Sequence, residues 1–172
     1  MARPVLSLQL ASLDLSSDAP VTDNDFLHSF ESLTLPFDQW THRAHVKIAF
    51  IYLTRHSFDA ALSKMRSGIQ AYNAHNHVPD TPTSGYNETT TRAFLHLIAA
   101  TMTAYSQVFP TRDSDAFCDA HPQILTRHVL RFFYSPERRI DGRAKTQFLE
   151  PDLAPLPRIL STGICMPPAP RP

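Results

Sequence analysis

Apolar residues recur along this chain at helical intervals, and no run alternates apolar and polar positions as a half-buried strand does. Phe26, Leu27, Phe30 and Leu33 follow the capping side chains of Thr22, Asp23, Asn24 and Asp25, which predicts a short first helix over 23–33. Residues 34–39 contain Pro36 and read as a turn. Thr41 then caps a second helix to about residue 55, with Val46, Ala49, Phe50 and Leu53 on its apolar stripe. Ser57 caps a third, in which Phe58, Ala61, Leu62, Met65, Ile69 and Tyr72 repeat to about residue 74. A polar, proline-bearing loop follows, and its His75-Asn76-His77 reads as solvated.

The longest run extends from 86 to about 108, with Phe94, Leu95, Ile98, Met102 and Tyr105 on one face. It is predicted helical although Thr89-Thr90-Thr91 are weak helix formers, so their hydroxyls are expected to bond within a cavity wall. Next come a short helix from Asp113 or Ser114 to near Cys118, and a longer one from His121-Pro122 through Phe133. Ile124, Leu125, His128, Val129 and Phe132 form the inner side of that longer helix. Ser135-Pro136-Glu137 is a helix start leading toward Phe148. The run Glu150-Pro151-Asp152-Leu153-Ala154-Pro155-Leu156-Pro157 cannot be helical and is expected to lie extended across the bundle, with Leu153 and Leu156 against it.

Together these elements predict an all-α fold, an irregular single-domain bundle of five to seven helices with extended proline-rich ends. The expected organisation is an N-terminal arm over 1–21, a helical domain over 22–157 and a proline-rich tail over 158–172.

Composition narrows the function classes. Formal net charge is zero and no block of lysines or arginines occurs, which argues against nucleic acid or an anionic membrane surface and favours a small neutral partner. With four glycines in all, no phosphate loop or dinucleotide fingerprint is present. Cys118 and Cys165 stand far apart and outside any CxxC, which speaks for a reducing compartment and against a disulfide framework or zinc knuckle. No apolar stretch has the length of a membrane span or a signal peptide, so a cytoplasmic protein is expected. The partners expected are a small-molecule substrate and, as an option, a second copy of the chain.

The candidate chemistry sits at two helix starts. His42 and His45, three apart, share a helix face, and Glu88 from the later helix start would complete a His/His/Glu set for a divalent metal, zinc or iron. His128 is a further candidate ligand. Asn87 is a neighbouring site group, with Tyr86 and Arg92 placed to orient a substrate. Against this stand simpler readings: HxxH arises easily among nine histidines, His128 can be a core residue, and Glu88 can pair with Arg92 on its own helix. Two alternatives keep the same residues. One is a cofactor-free isomerase, cyclase or lyase using a histidine with Glu88 as acid and base; the other is a non-catalytic binding protein.

The blocks Trp40-Thr41-His42-x-Ala44-His45, Gly85-Tyr86-x-Glu88-Thr89-x-Thr91, Tyr134-Ser135-Pro136-Glu137-Arg138 and Glu150-Pro151-Asp152-Leu153-x-Pro155-Leu156-Pro157 resemble a group of small bacterial and fungal proteins carrying WTHxAHL, GYHET and PDLxPLP blocks. The resemblance covers about residues 26–157 and implies that the blocks line one shared pocket; it brings no reaction with it. Where that group has histidine in the second block, this chain has Asn87.

Overall fold

Every α-helix in the described part of the chain starts on a polar side chain that accepts the amide three residues on: Thr22, Thr41, Ser57, Asn87, Asp113 and Ser135. Each such cap satisfies one amide that the helix itself leaves unbonded. The resulting helices are α1 (Asp23–Glu31), α2 (His42–Arg55), α3 (Phe58–His75), α4 (Glu88–Tyr105), α5 (Ser114–Ala120) and α6 (Pro136–Ile140). Four 3-10 segments join them, at Phe37–Gln39, Pro122–Leu125, Arg127–Phe132 and Gly142–Lys145. This computed structural model describes residues 21–159, so the arm up to residue 20 and the tail from residue 160 lie outside the described residues.

The fold is all-helical, as the periodicity predicts, and the only ladder pairing among the described residues is an isolated bridge between Thr81 and Ser84. Helix α2 is the hub, packed against α3, α4 and α5. Its buried positions Val46, Ile48, Ala49, Phe50 and Ile51 meet Leu62, Met65, Leu95, Ile98 and Phe117 from those neighbours in one core. Burying each such side chain stabilises the fold by about 1.5–3 kcal/mol before conformational entropy is set against it. Trp40, just ahead of α2, stacks on Phe30 of α1 at 4.7 Å and lies 4.9 Å from the Tyr72 ring of α3. The Tyr72 hydroxyl donates to the Leu35 carbonyl at 2.7 Å, which fixes the approach to α2.

Three sequence expectations need correction. The helix expected from His121 through Phe133 is two 3-10 turns, because Thr126 adopts an extended backbone (φ −105°, ψ 128°) and caps the second turn with its own side chain. Of the expected inner face, Ile124 and Leu130 are buried and Leu125 and Val129 pack partly buried on the core, while His128 is exposed and Phe132 is 74% exposed. The helix expected toward Phe148 stops at Ile140, where Asp141 is extended and caps the next 3-10 turn. Of the two leucines expected to cover the bundle, Leu156 packs on the core, whereas Leu153 is 58% exposed and is tied down through its amide to the Phe133 carbonyl.

Candidate functional site

A cavity of about 470 Å³ opens where the first half of α2, the middle of α3, the first half of α4 and the loop over 82–87 meet. Its floor is apolar, from Val46, Ala49, Met65, Ile69, Leu95 and Ile98. Its rim is polar, from His42, His45, Tyr86, Asn87, Thr90 and Thr91, with Arg127, Arg139 and Lys145 arriving from the C-terminal turns.

His42 and His45 reach the cavity because Thr41 starts α2 one residue ahead of them, placing both imidazoles on one face of its first turn. Each ring is held by a backbone carbonyl, which can only accept, so the bonded nitrogen carries the hydrogen. His45 Nδ1 donates to the Thr41 carbonyl at 2.8 Å, which leaves Nε2 with a lone pair and, among the described residues, no protein partner. His42 Nε2 donates to the Ile124 carbonyl at 3.1 Å, leaving Nδ1 as its acceptor. Trp40 lies against the His45 ring at 3.8 Å, and the Phe94 ring meets His42 edge-on at 4.6 Å.

Both rings are neutral at neutral pH. Desolvation takes the His45 pKa down to about 4, helped by the nearby charges of His42 and Arg127 and opposed by the bond to Thr41. Desolvation also lowers His42, with Arg127 acting in the same direction.

Glu88 takes a different place from the one its spacing suggests. It is buried at the first position of α4 but does not line the cavity, because Arg66 of α3 grips it with both arms, Nε to Oε2 at 2.9 Å and a terminal nitrogen to Oε1 at 2.6 Å. The Tyr86 hydroxyl adds a third bond to Oε2 at 2.6 Å. These donors, Arg66 foremost, hold the Glu88 pKa below the usual carboxylate range, while burial and Glu88 push the Tyr86 phenol up. Glu88 is thus a clasp between α3, α4 and the loop, and it orients the Tyr86 ring as a cavity wall.

The other candidates separate in the same way. Arg92 is exposed and lies over the Phe148 ring at 4.5 Å; it makes no ion pair with Glu88 and does not line the cavity. Asn87 caps α4, its Oδ1 accepting from the Thr90 amide at 2.8 Å, and lines the cavity beside that cap. His128 points to solvent from a 3-10 turn. The expected His/His/Glu set therefore does not assemble, and among the described residues no three His, Cys, Asp or Glu side chains converge to hold an ion.

Of the four sequence blocks, the first two face the cavity. The other two meet elsewhere, where Asp152 accepts from the Ser135 amide at 2.9 Å and hydroxyl at 2.6 Å. Sequence reasoning missed Arg66, Arg127, Arg139 and Lys145. Lys145 folds the loop over the rim by donating to the Asp80 carboxylate and to the Thr81 and Ser84 carbonyls, the last two at 2.6 and 2.5 Å. That tight turn needs Gly85, whose φ is +83° and whose added Cβ would sit 3.1 Å from the Asp80 Cα.

No family model, no curated protein and no solved structure matches the chain. Among the described residues no helix is long and apolar enough to cross a membrane.

Proposed function

We propose that the protein is a small enzyme that moves a proton on a small organic molecule held in this cavity, as an isomerase, cyclase or lyase built on the chain's own residues. One observation carries the reading: the neutral His45 ring, pinned through Nδ1–H to the Thr41 carbonyl, lines a cavity with an apolar floor, and its Nε2 is left as an acceptor. This is the arrangement a general base needs, since the carbonyl both selects the tautomer and stabilises the imidazolium once the proton has arrived.

Nε2 takes a proton from the substrate and returns it at a neighbouring atom, which isomerises the molecule; loss of a leaving group instead gives elimination. His42, also neutral, is the second imidazole at the cavity wall and offers Nδ1 as a further acceptor. Glu88 has no part in the transfer, because Arg66 and Tyr86 occupy it. The reading takes the protein as cytoplasmic, and the buried Cys118 thiol fits a reducing compartment.

The test is proton NMR on small enolisable compounds incubated with the protein in D2O. One class of compound loses a carbon-bound proton signal in the presence of the protein, and His45→Gln abolishes that exchange with the thermal melt still cooperative. Exchange that persists in folded His45→Gln contradicts the reading.

A further inference from the structure

Every charged side chain on the cavity wall is basic. Arg127, Arg139 and Lys145 line it, together with two neutral histidines and Tyr86, and no aspartate or glutamate does. Lys145 is already balanced by Asp80, which lies outside the lining. Among the described residues Arg127 and Arg139, like several surface arginines, have no carboxylate within ion-pairing distance, but these two face the cavity. Both are exposed side chains that also line the cavity, one from the Arg127–Phe132 turn and one from α6, so they stand at its mouth. Beneath them the floor is hydrocarbon, from Ile69, Leu95 and Ile98 among others.

A guanidinium is a planar fork that matches a carboxylate, and an apolar floor rewards a hydrocarbon body. We infer that the molecule this cavity takes is an organic carboxylate with an apolar body, its carboxylate held between Arg127 and Arg139 and its carbon skeleton lying over Ile69, Leu95 and Ile98. The inference rests on the cavity being the working site, and it names the substrate class for it. A pocket of about 470 Å³ suits a bicyclic or medium-chain acid better than a two- or three-carbon one.

The same geometry couples binding to the base. Arg127 depresses the proton affinity of both His42 and His45, and a carboxylate seated on Arg127 cancels that charge. Desolvation remains the larger cause of the depressed values, and Arg139 and Lys145 are the other cations of the lining; the charge that the bound carboxylate removes is that of Arg127. Substrate binding thereby raises the basicity of His45 Nε2 when the reacting atom is next to it.

The test uses 2-naphthoate and its neutral isostere 2-naphthamide, titrated into the full chain by calorimetry, with 2-naphthyl phosphate as a third arm. The expected result is saturable binding of naphthoate at least about tenfold tighter than the amide, the order expected for a charge-assisted pair. In Arg127→Gln/Arg139→Gln that preference is lost, while the melting temperature stays unchanged because both side chains are exposed. Nitrogen-15 NMR then shows the His45 pKa rising on saturation with naphthoate and not with the amide.

Equal binding of acid and amide, no binding of the acid, or a preference that survives the double substitution overturns the inference. Tighter binding of the phosphate overturns the carboxylate assignment. Proton exchange that depends on His45, found together with no preference for the acid, separates failure of this inference from failure of the proposed function.

Discussion

At the scale of the residue, what distinguishes His45 is which of its two nitrogens is occupied. The Thr41 carbonyl belongs to the residue that caps α2, so the cap that begins the helix also sets the tautomer of the ring one turn along. Burial then makes the protonated ring costly, with a measurable consequence for stability. Between pH 6.5, the ordinary histidine value, and about pH 4, the folded His45 value, the unfolded chain takes up a proton that the fold refuses. Stability therefore falls as pH drops through that window, by on the order of 3 kcal/mol for His45 alone. His42 and the buried His121, both depressed mainly by desolvation, add in the same direction. Urea unfolding of the wild type and of His45→Gln at several pH values between 4 and 7 should show a distinctly shallower loss in the variant. A wild type whose stability is flat across that range would contradict the burial of a neutral ring.

Between elements, single polar atoms and single methyl-sized gaps set how helices meet. Thr89 is the clearest case. Its hydroxyl donates to the Gln147 carbonyl at 2.9 Å and accepts from the Leu149 amide at 2.9 Å, clasping the segment after the last 3-10 turn to the start of α4. Thr89→Val keeps the shape and removes both bonds, leaving a buried amide unpaired. A loss of about 1–3 kcal/mol in denaturant unfolding is expected. Gly68 of α3 plays the complementary part: an added Cβ would lie 2.6 Å from Cε1 of Phe30, a ring with no exposed surface. Although alanine favours helix, Gly68→Ala should destabilise by about 1–3 kcal/mol through overpacking of α1 on α3, read as a lower melting temperature. A stabilised variant would show that Phe30 can move aside.

Helix starts were legible in the chain because Thr41 and Ser57 carry their own caps ahead of unbroken periodic runs, and the boundaries of α2 and α3 followed. Pro122 and Thr126 broke the run after α5, since a capping side chain and extended backbone at Thr126 compete with continued helix over so short a stretch. The shared face of His42 and His45 was legible in the same way. The partner of Glu88 was not: sequence shows Arg92 one turn along, but Arg66 on another helix offers a two-armed grip that no local spacing reveals.

Over the whole molecule, a formal net charge of zero conceals an uneven distribution, with charges paired between helices elsewhere and a cavity whose wall carries only positive ones. Composition averages over that difference; folding gathers Arg127, Arg139 and Lys145 beside the two histidines from separate turns of the C-terminal part of the chain. The central claim is that this cavity holds a neutral histidine with a free acceptor nitrogen. Long-range proton–nitrogen correlation NMR of the nitrogen-15-labelled protein, followed through a pH titration, tests it most directly. The account predicts that His45 is the Nδ1–H tautomer at neutral pH and titrates near pH 4. A ring found as the Nε2–H tautomer, or protonated at neutral pH, would contradict it.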